Sequence, residues 1–188
     1  MGLEVAWTSP DHPSGTDRVA EAMQDREADG VINIQGDEPM IDPELVDRLA
    51  ETLAGPADWD MVTAAAAMTD PERIADPSVV KVVRAADGAA LYFSRAPIPF
   101  RRDEADAPPI YLRHIGIYGY RRDFLARLVS APPCALERCE KLEQLRALDL
   151  GARICVLETT DPGPGVDTPA DVARAEAALR SAGRVRGG

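Results

Sequence analysis

The chain has 188 residues, 45% of them hydrophobic, which is enough for one domain with a buried core. Its 32 acidic residues outnumber 21 basic ones and give a formal net charge of -11. A nucleic-acid polymer as partner is therefore not expected, because binding to it requires a basic face. No apolar run reaches the length of a membrane span, and the three cysteines show neither a CxxC pattern nor metal-ligand spacing. We expect a soluble, cytoplasmic protein with reduced thiols and no membrane partner.

Strand-like and helix-like segments alternate along the first half of the chain. Short β-branched or aromatic runs predict strands, and apolar residues at helical spacing between capping residues and glycines predict helices. The predicted strands are residues 3–8, 31–35 and 61–67, and the predicted helices start at Thr16 or Asp17 and, capped by Asp42, at Pro43. The order strand, helix, strand is typical of a parallel α/β sheet.

The second half begins with a different pattern. Two short strands flank the turn dipeptide Asp87-Gly88, and residues 111–125 alternate as a strand that leads into a helix. Residues 136–151 then predict one helix, residues 152–159 a strand and residues 168–183 a last helix. We therefore expect a Rossmann-like α/β fold, a mostly parallel sheet flanked by helices with an antiparallel insertion, as a single domain over residues 1–188.

Acidic residues follow two of the predicted elements and suggest a metal site. Asp37 comes directly after Gly36 at the end of a strand, and Asp167 lies just before Thr168 and the last helix. Each could be a helix cap, although the helix after Asp37 already has Asp42 for that role. Two carboxylates that converge would repel each other, so a hard cation such as Mg²⁺ between them is the natural completion.

Six segments occur in an order and spacing that resemble one enzyme family. They are TSPDHPSGTDR, QGDEPMI, VVKVV with ALYFSRAPIP, RHIGIYGYR, EKLEQLR and GVDTPADV. The chain resembles the 3-deoxy-manno-octulosonate cytidylyltransferases, also called CMP-KDO synthetases, over nearly its whole length. The resemblance implies a nucleotidyltransferase of lipopolysaccharide biosynthesis in which the anomeric hydroxyl of the sugar acid attacks the α-phosphate of CTP. It also implies a homodimer.

The resemblance assigns a role to each matching residue of this sequence. Asp37 and Asp167 match the family's Mg²⁺ ligands at the reaction centre. The remaining residues form two groups. Those that match the nucleotide site are Ser14, Gly15, Thr16, Asp17, Arg18 and Gln35, and those that match the sugar-acid pocket are Arg95, His114, Tyr118, Glu143 and Gln144. Arg95 suits a carboxylate because its fork of donors can bond two oxygens at once.

Other interpretations of these residues stay open. Without the resemblance, His114 and Tyr118 would be packing residues, while Glu143 and Gln144 would lie on a solvated helix face. The chain could also be a cytidylyltransferase for another acidic sugar, such as a nonulosonic or amino-octulosonic acid. A third alternative is a non-catalytic fragment that binds a sugar acid or mediates oligomerisation.

The chain departs from the family at its beginning. Family members open with a strand and a basic, glycine-rich loop that wraps the triphosphate, and this sequence has no such segment before residue 8. We therefore expect a form that lacks the N-terminal strand and the phosphate-binding loop, with neighbouring strand edges left unpaired.

Overall fold

The computed structural model describes residues 4–36, 39–103, 111–160, 166 and 169–181. Within these residues one sheet has six strands: β1 (Gly30–Ile34), β2 (Met61–Met68), β3 (Lys81–Arg84), β4 (Ala90–Ser94), β5 (Tyr111–Arg121) and β6 (Ile154–Thr159). The helices of the same residues are α1 (Gly15–Ala22), α2 (Pro43–Ala54), α3 (Pro71–Ala75), α4 (Arg122–Ser130), α5 (Ala135–Glu140), α6 (Gln144–Asp149) and α7 (Pro169–Ser181). None of the described helices is long and apolar enough to cross a bilayer.

Strand β5 organises the sheet. It pairs antiparallel with β2 on one edge, and β1 and β3 both pair antiparallel with it as well. Strand β6 runs parallel to β2, and β4 closes a hairpin with β3. Among the described strands, β1, β2, β3 and β6 therefore run in one direction, and β4 and β5 run in the other. The expected sheet with an antiparallel insertion is confirmed, and four of the six described strands run in one direction, although β2–β6 is the one parallel pair among the described strand pairs. Within the insertion, β5 lies between β2 and the strands β1 and β3, whereas β4 lies at the end of the strand order.

Both faces of the sheet are buried. Successive residues of β2 enter opposite layers, with Met61 and Ala65 on one side and Val62, Ala64 and Ala66 on the other. This follows from the two-residue period of a strand. Helix α2 covers the second side with leucines at helical spacing, and α4 and α6 cover the first side. A strand that is buried on both faces needs a continuous apolar run, which explains the sequence of β2.

Most of the predicted elements form where they were expected, but there are four differences. Residues 4–8 form no strand, since no described strand supplies a hydrogen-bonded partner there. Helix α1 begins earlier than predicted, because Ser14 rather than Thr16 caps it, and it ends at Ala22. The short helix α3, capped by Asp70, was not predicted.

The fourth difference is a break in the predicted helix 136–151. Lys141 adopts a left-handed conformation, with φ 55° and ψ 46°, which ends α5. Three residues later α6 begins, and both Leu142 and Leu145 are buried, whereas Leu136 on α5 is 43% exposed. The break redirects the chain so that the leucines after it enter the core. It also creates a corner at residues 141–143, which we call the α5–α6 corner.

Gly119 of β5 gives a test of this packing. A Cβ atom at this position would lie 2.5 Å from Cγ2 of Val62 and 2.6 Å from Cδ1 of Ile32, both closer than van der Waals contact. We expect Gly119→Ala to lower the free energy of unfolding by about 1–3 kcal/mol, the usual cost of overpacking. Urea unfolding measures this change. Gly15→Ala is the control, because its Cβ would meet no atom within 4 Å, and an equal loss in both variants would contradict the prediction.

Candidate active site

The first part of the site is the start of helix α1. Ser14 is the N-cap, and its Oγ accepts a hydrogen bond of 3.3 Å from the backbone N–H of Asp17. Gly15 then opens the helix, and the side chain of Thr16 is buried. A serine cap satisfies one of the backbone donors that a helix start leaves free. The segment predicted to lie against the nucleotide is therefore a capped helix start with its hydroxyls turned inward.

Glu143 connects this helix start to the α5–α6 corner. One of its carboxylate oxygens accepts from Oγ of Ser14 at 2.9 Å and the other from Oγ1 of Thr16 at 2.5 Å. The hydroxyl of Ser14 also lies 2.6 Å from a carboxylate oxygen of Asp17, and its single proton serves one of the two acids at a time. The structure thus joins residues of the predicted nucleotide group to Glu143 of the predicted sugar-acid group.

A β-bulge in strand β5 brings His114 and Tyr118 together. Residues four apart on a regular strand lie about 13 Å apart, yet the ring centroids of His114 and Tyr118 are 5.3 Å apart. The reason is a register shift, since Thr63 of β2 faces Tyr118 while the next residue, Ala64, faces Ile115. Gly116 and Ile117 therefore have no pairing partner on β2, and the shortened path between Ile115 and Tyr118 brings Tyr118 towards His114.

His114 is held neutral by its surroundings. Its ring packs edge-on against Phe93, at 5.2 Å between centroids, and its Nε2 lies 3.0 Å from Oγ1 of Thr63. The hydroxyl of Thr63 donates its one proton to the carbonyl of Ile117 at 2.8 Å, so Nε2 of His114 carries the proton that it shares with Thr63. Burial, with a smaller contribution from the charge of Arg113, lowers the pKa of His114 to about 3. The imidazole is therefore uncharged at neutral pH.

Two tyrosines of β5 lie between His114 and the start of α1. Tyr118 and Tyr120 lie with ring centroids 6.0 Å apart. Burial raises the pKa of both phenols, and the nearby Glu143 carboxylate raises it further. The side chain of Thr16 partly opposes the rise in the pKa of Tyr120. The phenols therefore stay protonated, and they extend the contact between β5 and the helix start.

Arg95 lies directly after β4 and is held against the α5–α6 corner. Its Nε donates to the carbonyl of Glu140 at 2.7 Å, and its two terminal nitrogens donate to the carbonyls of Pro77 and Lys141. A guanidinium has five N–H groups, so three of the five are used on described backbone oxygens, and the other two have no hydrogen-bond partner among the described residues. Two donors are enough to bind one carboxylate bidentately.

Sequence reasoning missed the side chains that hold Arg95. Lys81 is fully buried, and its ammonium donates to the carbonyls of Asp76, Val79 and Arg95 at 2.9, 2.6 and 2.5 Å. The carboxylate of Glu140 accepts from the backbone N–H of Arg95 at 2.9 Å. Burial lowers the pKa of Lys81, and the charges of Asp76 and Glu140 partly oppose that shift. A lysine inside an apolar strand run is the only sequence hint, and its spacing to Arg95 carries no pattern.

The other predicted residues are less closely joined. Gln144 starts α6 with its side chain buried, and Gln35 follows β1 and is half-buried. Arg18 is exposed on α1 and donates to Oγ1 of Thr8 at 2.8 Å. Within the described part of the chain, no hydrogen bond links Gln35 or Arg18 to the α5–α6 corner.

The two predicted metal ligands, Asp37 and Asp167, lie outside the described residues. The described residues contain no group of three histidine, cysteine or acidic side chains arranged to hold a metal ion. Two carboxylates suit Mg²⁺, which usually takes one or two protein carboxylates and completes its shell with water and phosphate oxygens. The chemistry of this donor set therefore fits the ion.

Comparison with known proteins identifies the family. The cytidylyltransferase family matches residues 1–154. The chain is 51% identical over 183 residues to the 3-deoxy-manno-octulosonate cytidylyltransferase of Leptothrix cholodnii, an alignment that covers 92% of this chain and 68% of that protein. It is 50% identical over 175 residues to the enzyme of the same name from Solibacter usitatus, with coverage of 93% and 69%. The chain belongs to the 3-deoxy-manno-octulosonate cytidylyltransferase family.

A solved structure agrees with this assignment. The structure of CMP:2-keto-3-deoxy-manno-octonic acid synthetase complexed with CTP matches this cytidylyltransferase with a TM-score of 0.85 and 44% sequence identity. The match covers 92% of this chain and 70% of that one. The resemblance seen in the six sequence motifs, and the fold expected from it, are confirmed.

The neutral, buried His114 gives a pH-dependent prediction. Its folded-state pKa of about 3 lies below the ordinary 6.5, so the unfolded chain takes up a proton that the folded chain excludes. The contribution of neutral His114 to stability is fully present above pH 6.5, and it is lost as the pH falls from 6.5 towards 3. Between pH 6.5 and pH 5, His114 should cost roughly 2 kcal/mol of unfolding free energy.

Urea unfolding at several pH values measures this slope. His114→Gln should flatten it, because the replacement does not titrate. His12→Gln is the control, because it removes the other histidine, which pairs with Glu21 outside the α5–α6 corner. This variant should keep most of the loss of unfolding free energy at low pH. If His114→Gln has the same slope as the unmodified chain, His114 is not the buried neutral group described here.

Proposed function

We propose that this protein transfers CMP from CTP to the anomeric hydroxyl of 3-deoxy-manno-octulosonate and releases pyrophosphate. The observation that carries the proposal is the bonding of Ser14 and Thr16 to Glu143, in a chain that belongs to the cytidylyltransferase family. This contact places the segment expected to bind the nucleotide beside residues expected to bind the sugar acid. Transfer between two substrates needs such adjacency, because the enzyme's main contribution is to hold the reacting atoms in line.

The described residues supply positioning rather than a nucleophile. Arg95 offers its two remaining N–H groups to the carboxylate of the sugar acid. His114 and Tyr118 present an uncharged, hydrogen-bonding surface beside it, since their pKa values keep one deprotonated and the other protonated at neutral pH. Their protonation states do not change over the physiological range, so recognition of the sugar does not depend on small shifts of pH.

We also propose that Asp37 and Asp167 bind Mg²⁺. When bound, the ion would neutralise charge on the phosphate oxygens and on the sugar's carboxylate, which is the main requirement of nucleotidyl transfer. Two acids at the start of α1 support this need: Asp17 belongs to the segment expected to bind the nucleotide and Glu143 to the pocket expected for the sugar acid, and both would repel these anionic substrates without a compensating cation. The three cysteines are free thiols, which supports a reducing, cytoplasmic setting.

Pyrophosphate release tests the proposed reaction. The purified protein is assayed with CTP, Mg²⁺ and 3-deoxy-manno-octulosonate, and ATP replaces CTP as the control for the nucleotide. We expect release with CTP and not with ATP, and none without Mg²⁺. Release only with a nonulosonic or amino-octulosonic acid would favour the alternative sugar. Saturable binding of the sugar without turnover, also in a form extended by the family's opening segment, would favour a binding role.

Asp37→Asn tests the metal role, with Asp42→Asn as a matched control. We expect Asp37→Asn to lower kcat by at least about a hundredfold, comparable with the loss of one electrostatic group at a reaction centre. Asp42 caps α2 through its side chain, and asparagine caps equally well, so Asp42→Asn should keep both activity and stability. Retained activity in Asp37→Asn would remove that residue from the metal site.

The proposal includes a homodimer. Strand β4 is at the end of the described sheet order, and Leu91 on it is 60% exposed. An apolar side chain on an edge strand is a feature that association would cover. Sedimentation equilibrium should give twice the mass of one chain, and Leu91→Lys should shift the equilibrium towards the monomer. A monomer at all concentrations would contradict this part of the proposal.

A further inference from the structure

The guanidinium of Arg146 is fully committed within the protein. Its Nε and one terminal nitrogen bind the two carboxylate oxygens of Glu137 at 2.8 and 2.7 Å, a bidentate ion pair. The other terminal nitrogen donates to the carbonyls of Leu128 and Ala131 at 3.3 and 3.1 Å. The fifth N–H points to Glu143, at 3.4 Å from Oε1. Arg146 has five donors, and the five contacts use all of them.

These contacts connect three parts of the fold. Leu128 and Ala131 lie at the end of α4, and Glu137 belongs to the capping box that starts α5, where it also accepts from the backbone N–H of Cys134. Arg146 itself is 8% exposed. A buried cation with two partners on rigid helix ends has little freedom to move. Its remaining N–H therefore meets Glu143 from a fixed direction.

Glu143 passes this constraint to the helix start of α1. Its Oε1 accepts hydrogen bonds from Arg146 and Ser14, and its Oε2 accepts one from Thr16. A carboxylate has about four acceptor positions, so these contacts occupy at most three and leave at least one for a substrate hydroxyl. The orientation of Glu143 then affects both the hydrogen bonds at the start of α1 and the direction of the remaining acceptor position.

We propose that Arg146 is a positioning residue, which fixes Glu143 so that one carboxylate serves both halves of the site. The assignment to substrate halves rests on the proposed function, whereas the mechanical part concerns the fold alone. Arg146 touches neither substrate in this proposal; it acts through Glu143. Lysine cannot replace it, because an ammonium has three donors and no planar fork that could bind Glu137, the two carbonyls and Glu143 together.

The test compares Arg146→Lys with Glu137→Gln. Glu137→Gln is the control. It weakens the ion pair between Glu137 and Arg146, and it leaves the bonds of Arg146 to the carbonyls of Leu128 and Ala131 and to Glu143. We expect both variants to lower the unfolding temperature. Only Arg146→Lys should raise the KM values for CTP and for the acidic sugar, by about tenfold, as expected for the loss of a hydrogen bond to a charged group. Equal KM changes in the two variants would show a purely structural role and overturn the proposal.

Amide hydrogen exchange supplies a readout that does not depend on activity. Exchange at the backbone N–H groups of Asp17 and Arg18, which bond to Ser14, should become about tenfold faster in Arg146→Lys and change less than twofold in Glu137→Gln. Strand β2 is the internal reference. If the unmodified protein shows no transfer, the proposed function fails, and the exchange result still decides the role of Arg146.

A second variant covers the case in which Arg146→Lys does not fold. Glu143→Gln leaves the contacts of Arg146 to Glu137, Leu128 and Ala131 in place, and it should reproduce the faster exchange at the start of α1. Where both single variants fold, adding Arg146→Lys to Glu143→Gln should have less than a twofold further effect, since the two residues act in series. Unchanged exchange in Glu143→Gln, or additive effects in the double variant, would overturn the proposal.

Discussion

The register shift between β2 and β5 is the constraint on which the candidate site depends. Strand β5 runs opposite to β1, β2 and β3, so its hydrogen bonds hold three strands of the sheet in place. At Thr63 the ladder skips two residues, and the hydroxyl of Thr63 donates to the carbonyl of Ile117 beside the irregularity. A bulge that left such a carbonyl buried and unbonded would cost stability. Here a single threonine satisfies it and also binds His114.

From this point the polar groups form a continuous series. His114 contacts Tyr118, Tyr118 lies beside Tyr120, and Tyr120 interacts with Thr16 at the start of α1. Thr16 in turn bonds to Glu143 at the α5–α6 corner. The first two steps lie within β5, and the next two join β5 to α1 and α1 to the α5–α6 corner, so the position of one group restricts the next. The site is therefore rigid because it is built across strands and helix ends rather than on one loop.

Charge within this region is balanced in two different ways. Lys81 and Arg95 bind backbone carbonyls, so their positive charges are solvated by dipoles and stay available to an anion nearby. Arg146 is instead neutralised by Glu137 and Glu143. The corner thus separates a cation that binds only backbone carbonyls, Arg95, from one that is paired with carboxylates, Arg146.

The sequence by itself determined the elements and their order. Continuous apolar runs with β-branched residues predicted β1, β2 and β6, and the cap Asp42 with Pro43 predicted the start of α2, because these signals depend only on neighbouring residues. The six motifs were sufficient to indicate the family and to group the candidate residues. Local patterns failed where a partner decides the outcome, as at residues 4–8, which have strand-like composition but form no strand.

Only the tertiary structure decided how those residues meet. The left-handed Lys141 breaks a stretch whose helical period is otherwise continuous, because burial of Leu142 and Leu145 outweighs the local preference for one long helix. The bulge at Thr63, the lysine that holds Arg95 and the bonds from Ser14 and Thr16 to Glu143 join positions 14 to 129 residues apart in the chain. Contacts at such separations leave no periodic trace in one sequence. They follow from packing, and packing is what places the chemistry.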